Sequence, residues 1–160
     1  MQQTLLQCNL IDTQPFSLNG YVCLAKVLKV YDADTLTVAL EYLGKFYRFS
    51  IRVSGIDTCE LRSKNKQAKD LGYLAKNELL DILTDSRVQH PDGNDFFEDN
   101  NVIVELSCQR FDKYGRLLGV IKTLSGVNVG EHLIANGYAY RYLGGTKLTE
   151  QEQIDLLSPK

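Results

Sequence analysis

The stretch "SIRVSGIDTCELR", residues 50 to 62, decides the fold. Its first part alternates as a half-buried strand does. Phe49, Ile51 and Val53 fall on one side, and Ser50, Arg52 and Ser54 on the other. Gly55 breaks the alternation, and Asp57, Thr58, Glu60 and Arg62 crowd into the residues that follow. A strand that ends in charges of both signs reads in one of two ways. It dissolves into a solvated loop, or it marks a site where a metal ion, a phosphate and a general base meet.

Upstream the chain is strand-like. Residues 21–31, "YVCLAKVLKVY", are rich in β-branched and apolar side chains. "DADT" follows as a turn, because Asp side chains bond nearby backbone amides. "LTVAL" alternates, "YLGK" supplies a second turn, and "FYRFSIRVS" is a third strand, so the three form a meander that needs a cover on its apolar face. Downstream, Ala68, Leu71, Ala75, Leu79 and Ile82 recur at helical spacing and predict a helix over 64–83, in which Gly72 is a mild cost. Residues 84–101, "TDSRVQHPDGNDFFEDNN", read as a long acidic loop broken by Pro91 and Gly93. "VIVELSC" and "RLLGVIKT" predict a hairpin around "RFDKYG". Asn128, with Glu131 at the reciprocal third position, opens a short helix that Gly137 ends, and Thr149 with Glu152 opens another. Five strands with a helix after the third give an all-β barrel with added helices (α+β). The order is that of an OB-fold five-stranded Greek-key barrel with about three helices. Residues 1–20 read as an N-terminal extension and 21–160 as the domain.

The 160 residues are 44% hydrophobic and 24% charged, ordinary for a globular chain long enough to bury a core. No apolar run approaches the ~20 residues of a membrane span. The N-terminus lacks a basic start followed by an apolar stretch, which argues against a secretory signal. Cys8, Cys23, Cys59 and Cys108 are scattered without a CxxC pair, which disfavours structural zinc and favours free thiols in an intracellular, cytoplasmic setting. The default oligomeric state is a monomer. A net charge of −2 gives no global footprint for nucleic acid, so a polyanion binder must place its cations locally.

The two histidines, His90 and His132, make no nucleophile pair, and no HExxH, P-loop or GxGxxG is present. Carboxylates stand out instead. Asp32 and Asp34 flank the turn after the first strand, and Asp57 follows the third. Strands one and three can flank strand two, so these acids can converge at one rim. Hard oxygen donors suit Ca²⁺ or Mg²⁺, although an Asp-rich turn alone is commonly just solvated. Arg52 and Arg116 have the planar fork that matches phosphate, and Glu60 is available to activate water. Without those roles the arginines are surface ion-pair partners worth roughly 0–1 kcal/mol.

"VYDADTLTV", "IRVSGIDTCE" and "DKYGRLLGVI", in this order, resemble the three signature blocks of staphylococcal nuclease-like (thermonuclease) domains, over about Leu24 to Ile154. The resemblance implies an OB-type barrel and Ca²⁺-dependent hydrolysis of DNA and RNA, with Mg²⁺ or Mn²⁺ as substitutes and 3′-phosphate products. It implies that Asp34 and Asp57 hold the metal with the Thr58 backbone carbonyl, with Asp32 as a supporting acid. Glu60 takes the place of the general base, and Arg52 and Arg116 those of the phosphate-contacting arginines. Lys113 and Tyr114 match a terminal-phosphate pocket, and Tyr142 stands near the base-stacking tyrosines. Cys59 replaces the family's usual proline, which predicts a looser turn between Asp57 and Glu60. The acidic 84–101 loop predicts weaker affinity for a polyanion. The competing class is a non-catalytic barrel that binds nucleic acid or protein, but such relatives typically lose the acids and arginines that this chain keeps. A sugar-nucleotide transferase, suggested only by "DAD", would need a βαβ alternation that is absent.

Overall fold

The computed structural model describes residues 4–88 and 94–160. His90, Pro91 and Gly93 of the long loop lie outside the described residues. Among the described residues seven strands are formed: Val22–Asp32 (β1), Thr35–Tyr42 (β2), Lys45–Val53 (β3), Ile56–Asp57 (β4), Ile103–Phe111 (β5), Leu117–Thr123 (β6) and Tyr140–Arg141 (β7). The helices are Lys66–Thr84 (α1), Phe96–Asp99 (α2), Val129–Ala135 (α3) and Glu150–Leu156 (α4). Among the described residues no helix is long and apolar enough to cross a membrane.

Five strands close into a barrel in the order β1-β2-β3-β6-β5, the OB-type architecture expected. All pairings are antiparallel except β3 with β6, which closes the barrel in parallel at Ile51, Arg52 and Val53. The β2–β3 turn is the tight pair Leu43–Gly44, both at positive φ, as a two-residue hairpin requires. Inward residues of alternate positions, among them Val27, Val38, Ile51, Leu106 and Ile121, fill one core. A smaller cluster of Cys59, Ala68, Tyr140 and Leu157 lies under α1 and α4.

α1 begins at an Asn65 cap whose side chain accepts from the amides of Gln67 and Ala68, a contribution of about 1 kcal/mol. Gly72 is more than a mild cost. It is buried, and a Cβ there would stand 2.7 Å from the Cys59 backbone carbonyl oxygen. The helix therefore needs glycine to lie directly on the turn that carries Glu60. The helix at 129 also departs from its predicted cap. The Asn128 side chain accepts from the Glu131 amide, but the Glu131 carboxylate turns to Arg141 at 2.7 and 2.9 Å instead of reciprocating. α4 does carry its Thr149–Glu152 box.

The 84–101 segment is not wholly a loop. Its second half forms the single turn α2, which buries Phe97. Asn94 docks on β1, accepting from the Val30 amide at 2.9 Å and donating to the Val30 carbonyl at 3.1 Å. A side chain thus takes the place of a strand neighbour two residues before Asp32.

Candidate active site

Register builds the centre. Thr35 on β2 lies opposite Asp32 on β1 and opposite Arg52 on β3, while Arg52 lies beside Leu118 on β6. The "DAD" turn therefore stands at the rim where the barrel closes, and the Asp34 carbonyl accepts from the Val53 amide at 2.8 Å. Gly55, at φ +82°, then reverses the chain after β3. β4 pairs with β7 through Ile56–Arg141 and Asp57–Tyr140, which fixes Asp57 behind Arg52.

Arg52 joins the two acids. Its Nη2 lies 3.3 Å from Asp34 Oδ2 and 3.0 Å from Asp57 Oδ1, and its Nη1 donates to the Val53 carbonyl at 2.8 Å. Asp34 is 7% exposed and Asp57 1%. Two carboxylates so deeply buried need compensation, and each oxygen has a donor. Thr35 Oγ1 donates to Asp34 Oδ1 at 3.0 Å, and Thr58 Oγ1 to Asp34 Oδ2 at 3.2 Å. The Tyr140 hydroxyl donates to Asp57 Oδ2 at 2.5 Å, and Lys147 Nζ to Asp57 Oδ1 at 2.9 Å. Burial first, and then the Asp57 charge beside it, raise the Tyr140 hydroxyl well above its ordinary range, so Tyr140 remains a donor. Burial beside Asp34 pushes the Asp32 carboxyl up to about 7, and its Oδ1 accepts from the Asp34 amide at 3.3 Å.

In front of this centre opens a cleft of about 1270 Å³. Arg52, Glu60, Lys113, Tyr114, Arg116 and Tyr142, all singled out from the sequence, line it together. Asp34, Asp57 and Thr58 stand behind Arg52. The Glu60 side chain is exposed, and among the described residues no side chain holds its carboxylate. Arg116 is held by Asp112, whose Oδ2 accepts from Nε at 2.7 Å and whose Oδ1 accepts from the Arg116 and Tyr114 amides at 2.9 Å each. Partial burial works to raise the Asp112 carboxyl, but these hydrogen bonds prevail and hold it below its ordinary value. Tyr114 is 72% exposed, with Lys113 and Arg116 at 5.1 and 5.5 Å from its ring centroid. Among the described residues the lining carries the cations Arg52, Arg110, Lys113, Arg116 and Lys147 against the acids Glu60 and Asp112, so an acidic chain presents a cationic groove.

The donor set fits a hard cation. Asp34, Asp57 and Thr58 offer oxygens only, the chemistry of a Ca²⁺ or Mg²⁺ site. Among the described residues no third His, Cys, Asp or Glu completes a cluster with them, so carbonyl and water oxygens would fill the remaining positions. Cys59 belongs to no such set. Its thiol is buried under α1, and burial beside Asp57 pushes it up to about 11. It packs as a small apolar residue, and the turn that proline would stiffen is backed by Gly72 instead. His132 lies apart, bonded through Nε2 to Glu78 at 2.6 Å.

Tyr140 and Lys147 are the members of the centre that the sequence did not single out. "GYAYRY" alternates over too few residues to announce a strand. No spacing rule ties Lys147 to an acid 90 positions earlier; the Gly144–Gly145 pair before it signals only a loop.

An effect on Arg116 follows from its anchor. Asp112→Asn keeps the turn acceptor but weakens the charged hold on Nε, and a reaction that draws on Arg116 should slow about 10–100-fold. Because the Asp112 carboxyl is depressed, its hold is complete above its ordinary pKa and is lost only as pH falls through the lowered one. The deficit of the variant should therefore be constant between pH 6 and 9. A pH–rate profile in that window checks this, and a variant with the native rate would show that Arg116 needs no anchor.

The staphylococcal nuclease homologue family matches residues 50–158. This span contains Arg52, Asp57, Glu60 and Arg116; the β1–β2 pairing brings Asp32 to them, and the Arg52 contact Asp34. Endonuclease YhcR of Bacillus subtilis (strain 168) is 29% identical over 119 residues, or 71% of this chain. The chain spans only 8% of that relative's length. With two thirds of its length matched and the family's barrel formed around the matched residues, the chain belongs to the staphylococcal nuclease homologue family.

Proposed function

We propose that this domain is a Ca²⁺-dependent nuclease that hydrolyses phosphodiester bonds in single-stranded or flexible DNA and in RNA, leaving 3′-phosphate ends. The observation that supports it is one cleft shared by an unpaired carboxylate, Glu60, and two guanidinium groups, Arg52 and Arg116, in front of a buried pair of oxygen ligands. Asp34, Asp57 and the Thr58 carbonyl would hold the ion, which would supply positive charge beside the phosphoryl oxygens. Glu60 accepts the proton of the attacking water. Arg52 and Arg116 donate hydrogen bonds to the equatorial oxygens as charge accumulates there. Lys113 and Tyr114 receive a flanking phosphate, and Tyr142 presents a ring edge of the cleft to a base.

The groove supports a preference for flexible strands. Tyr114 and Tyr142 both line the cleft beside its cations, and a base can reach an aromatic face only when it is unstacked from its neighbours. Incubation with a single-stranded oligonucleotide and Ca²⁺, Mg²⁺ or chelator tests this function. Cleavage should require metal, and Glu60→Gln and Arg116→Ala should each reduce it by about 10²-fold or more. Cleavage that persists in chelator, or that ignores both substitutions, would sink the mechanism. Tight binding without cleavage under every metal would make the domain a passive nucleic-acid binder.

A further inference from the structure

We propose that Lys147 is a phosphate-binding residue of the cleft, set free from Asp57 when a divalent cation takes that carboxylate; this rests on the nuclease reading above. The Lys147 ammonium donates to Asp57 Oδ1 at 2.9 Å, an oxygen it shares with Arg52 at 3.0 Å, while Tyr140 holds Oδ2. A hard cation on Asp57 must draw on these same lone pairs. Of the three donors, only Lys147 is free to leave. Arg52 is buried and also bound to Asp34 and to the Val53 carbonyl. Tyr140 is buried in the cluster under α4. The Lys147 side chain is 48% exposed and follows Gly144 and Gly145, both at positive φ.

The chemistry of the head group agrees. An ammonium is a compact, strongly hydrated point charge on a flexible stem, so it returns to water at little cost, unlike a guanidinium seated between two acids. Lys147 lines the same cleft as Glu60 and Arg116, and its ammonium already lies 5.7 Å from the Tyr142 ring centroid. A divalent ion on Asp57 repels the ammonium, and the open side of Lys147 is the groove along which the phosphates run. The ion thereby exchanges an internal ion pair for a cation offered to substrate. Metal and nucleic acid should then bind with positive coupling, and that coupling is reciprocal.

Two measurements on the full chain test the assignment. Calorimetric titration with Ca²⁺ alone should show Lys147→Met binding about fivefold or more tightly than the native chain, with Lys147→Arg close to native. Anisotropy of a fluorescein-labelled oligothymidine, in saturating Ca²⁺ and a Glu60→Gln background, should give a salt slope shallower by about 0.7 for Lys147→Met, the share of one phosphate on a single strand. A lysine that merely ties down its loop would leave the slope unchanged and would not tighten Ca²⁺. Failure of either shift, in a native chain that binds Ca²⁺ and cleaves, overturns the role of Lys147 alone. A native chain that takes up no Ca²⁺ overturns the nuclease reading with it.

Discussion

Arg52→Ala should lower the free energy of unfolding by about 3–5 kcal/mol, because it strands a buried ion pair's other half. It should also cut single-strand cleavage on the order of 10²–10³-fold. Asp34 and Asp57 approach the same guanidinium nitrogen at 3.3 and 3.0 Å, and both carboxylates are buried. Without Arg52, one hydroxyl and one half-exposed lysine would remain for Asp57, and two hydroxyls for Asp34. Urea unfolding measures the first loss, and rates at a temperature where the variant is folded measure the second. Arg52→Lys separates them. It restores a charge between the acids and so much of the stability, but an ammonium seated there has no second nitrogen to donate to a phosphoryl oxygen, so the rate should stay low. A stable Arg52→Ala protein would show that the two acids are compensated by other means.

Gly72→Ala should run against the ordinary rule for helices. In a helix interior, alanine is favoured over glycine by about 0.5–1 kcal/mol. Here the new methyl would sit 2.7 Å from the Cys59 carbonyl oxygen and 3.1 Å from a Leu61 methyl. The nearer neighbour is backbone and cannot rotate away, so α1 and the 57–60 turn must part. The expected result is a net loss of about 1–3 kcal/mol from overpacking. Cleavage should fall by as much as about 10²-fold, since a displacement on the order of 1 Å at a reacting group costs that much. Thermal unfolding and kcat check both. A variant that is stabilised and fully active would mean that the helix does not support Glu60.

The two variants mark where the sequence was legible. Strand alternation, the "DAD" turn and the helix stripe follow from local periodicity, and so the barrel strands and α1 stand near their predicted places. The acids of β1 and of the 57–60 turn converge as a meander requires, because Thr35 has one neighbour on each side. Arg52 was legible as a residue of the polar strand face but not as a buried one, since closure by the parallel β6 is a long-range event with no local signature. β4 and β7 are two residues each, too short for any period. Gly72 looked like a weak helical position because its partner, the Cys59 carbonyl, carries no side-chain signal. The mixed loop hid Phe97 and Asn94 for the same reason: a single anchor has no repeat.

Sequence separation within the centre has a bearing on synthesis. Asp57 waits for Tyr140 and Lys147, residues 83 and 90 positions later, and Arg52 waits for β6 to close the barrel. A growing chain on the ribosome therefore carries Asp57 and Arg52 for many seconds at about 5–20 residues per second before the groups that order them emerge. During that interval Asp57 lacks two of its three donors and the centre is unfinished. Because the last polar contacts of the centre come from β7 and from the loop before α4, the acids of the centre are compensated only in the completed fold.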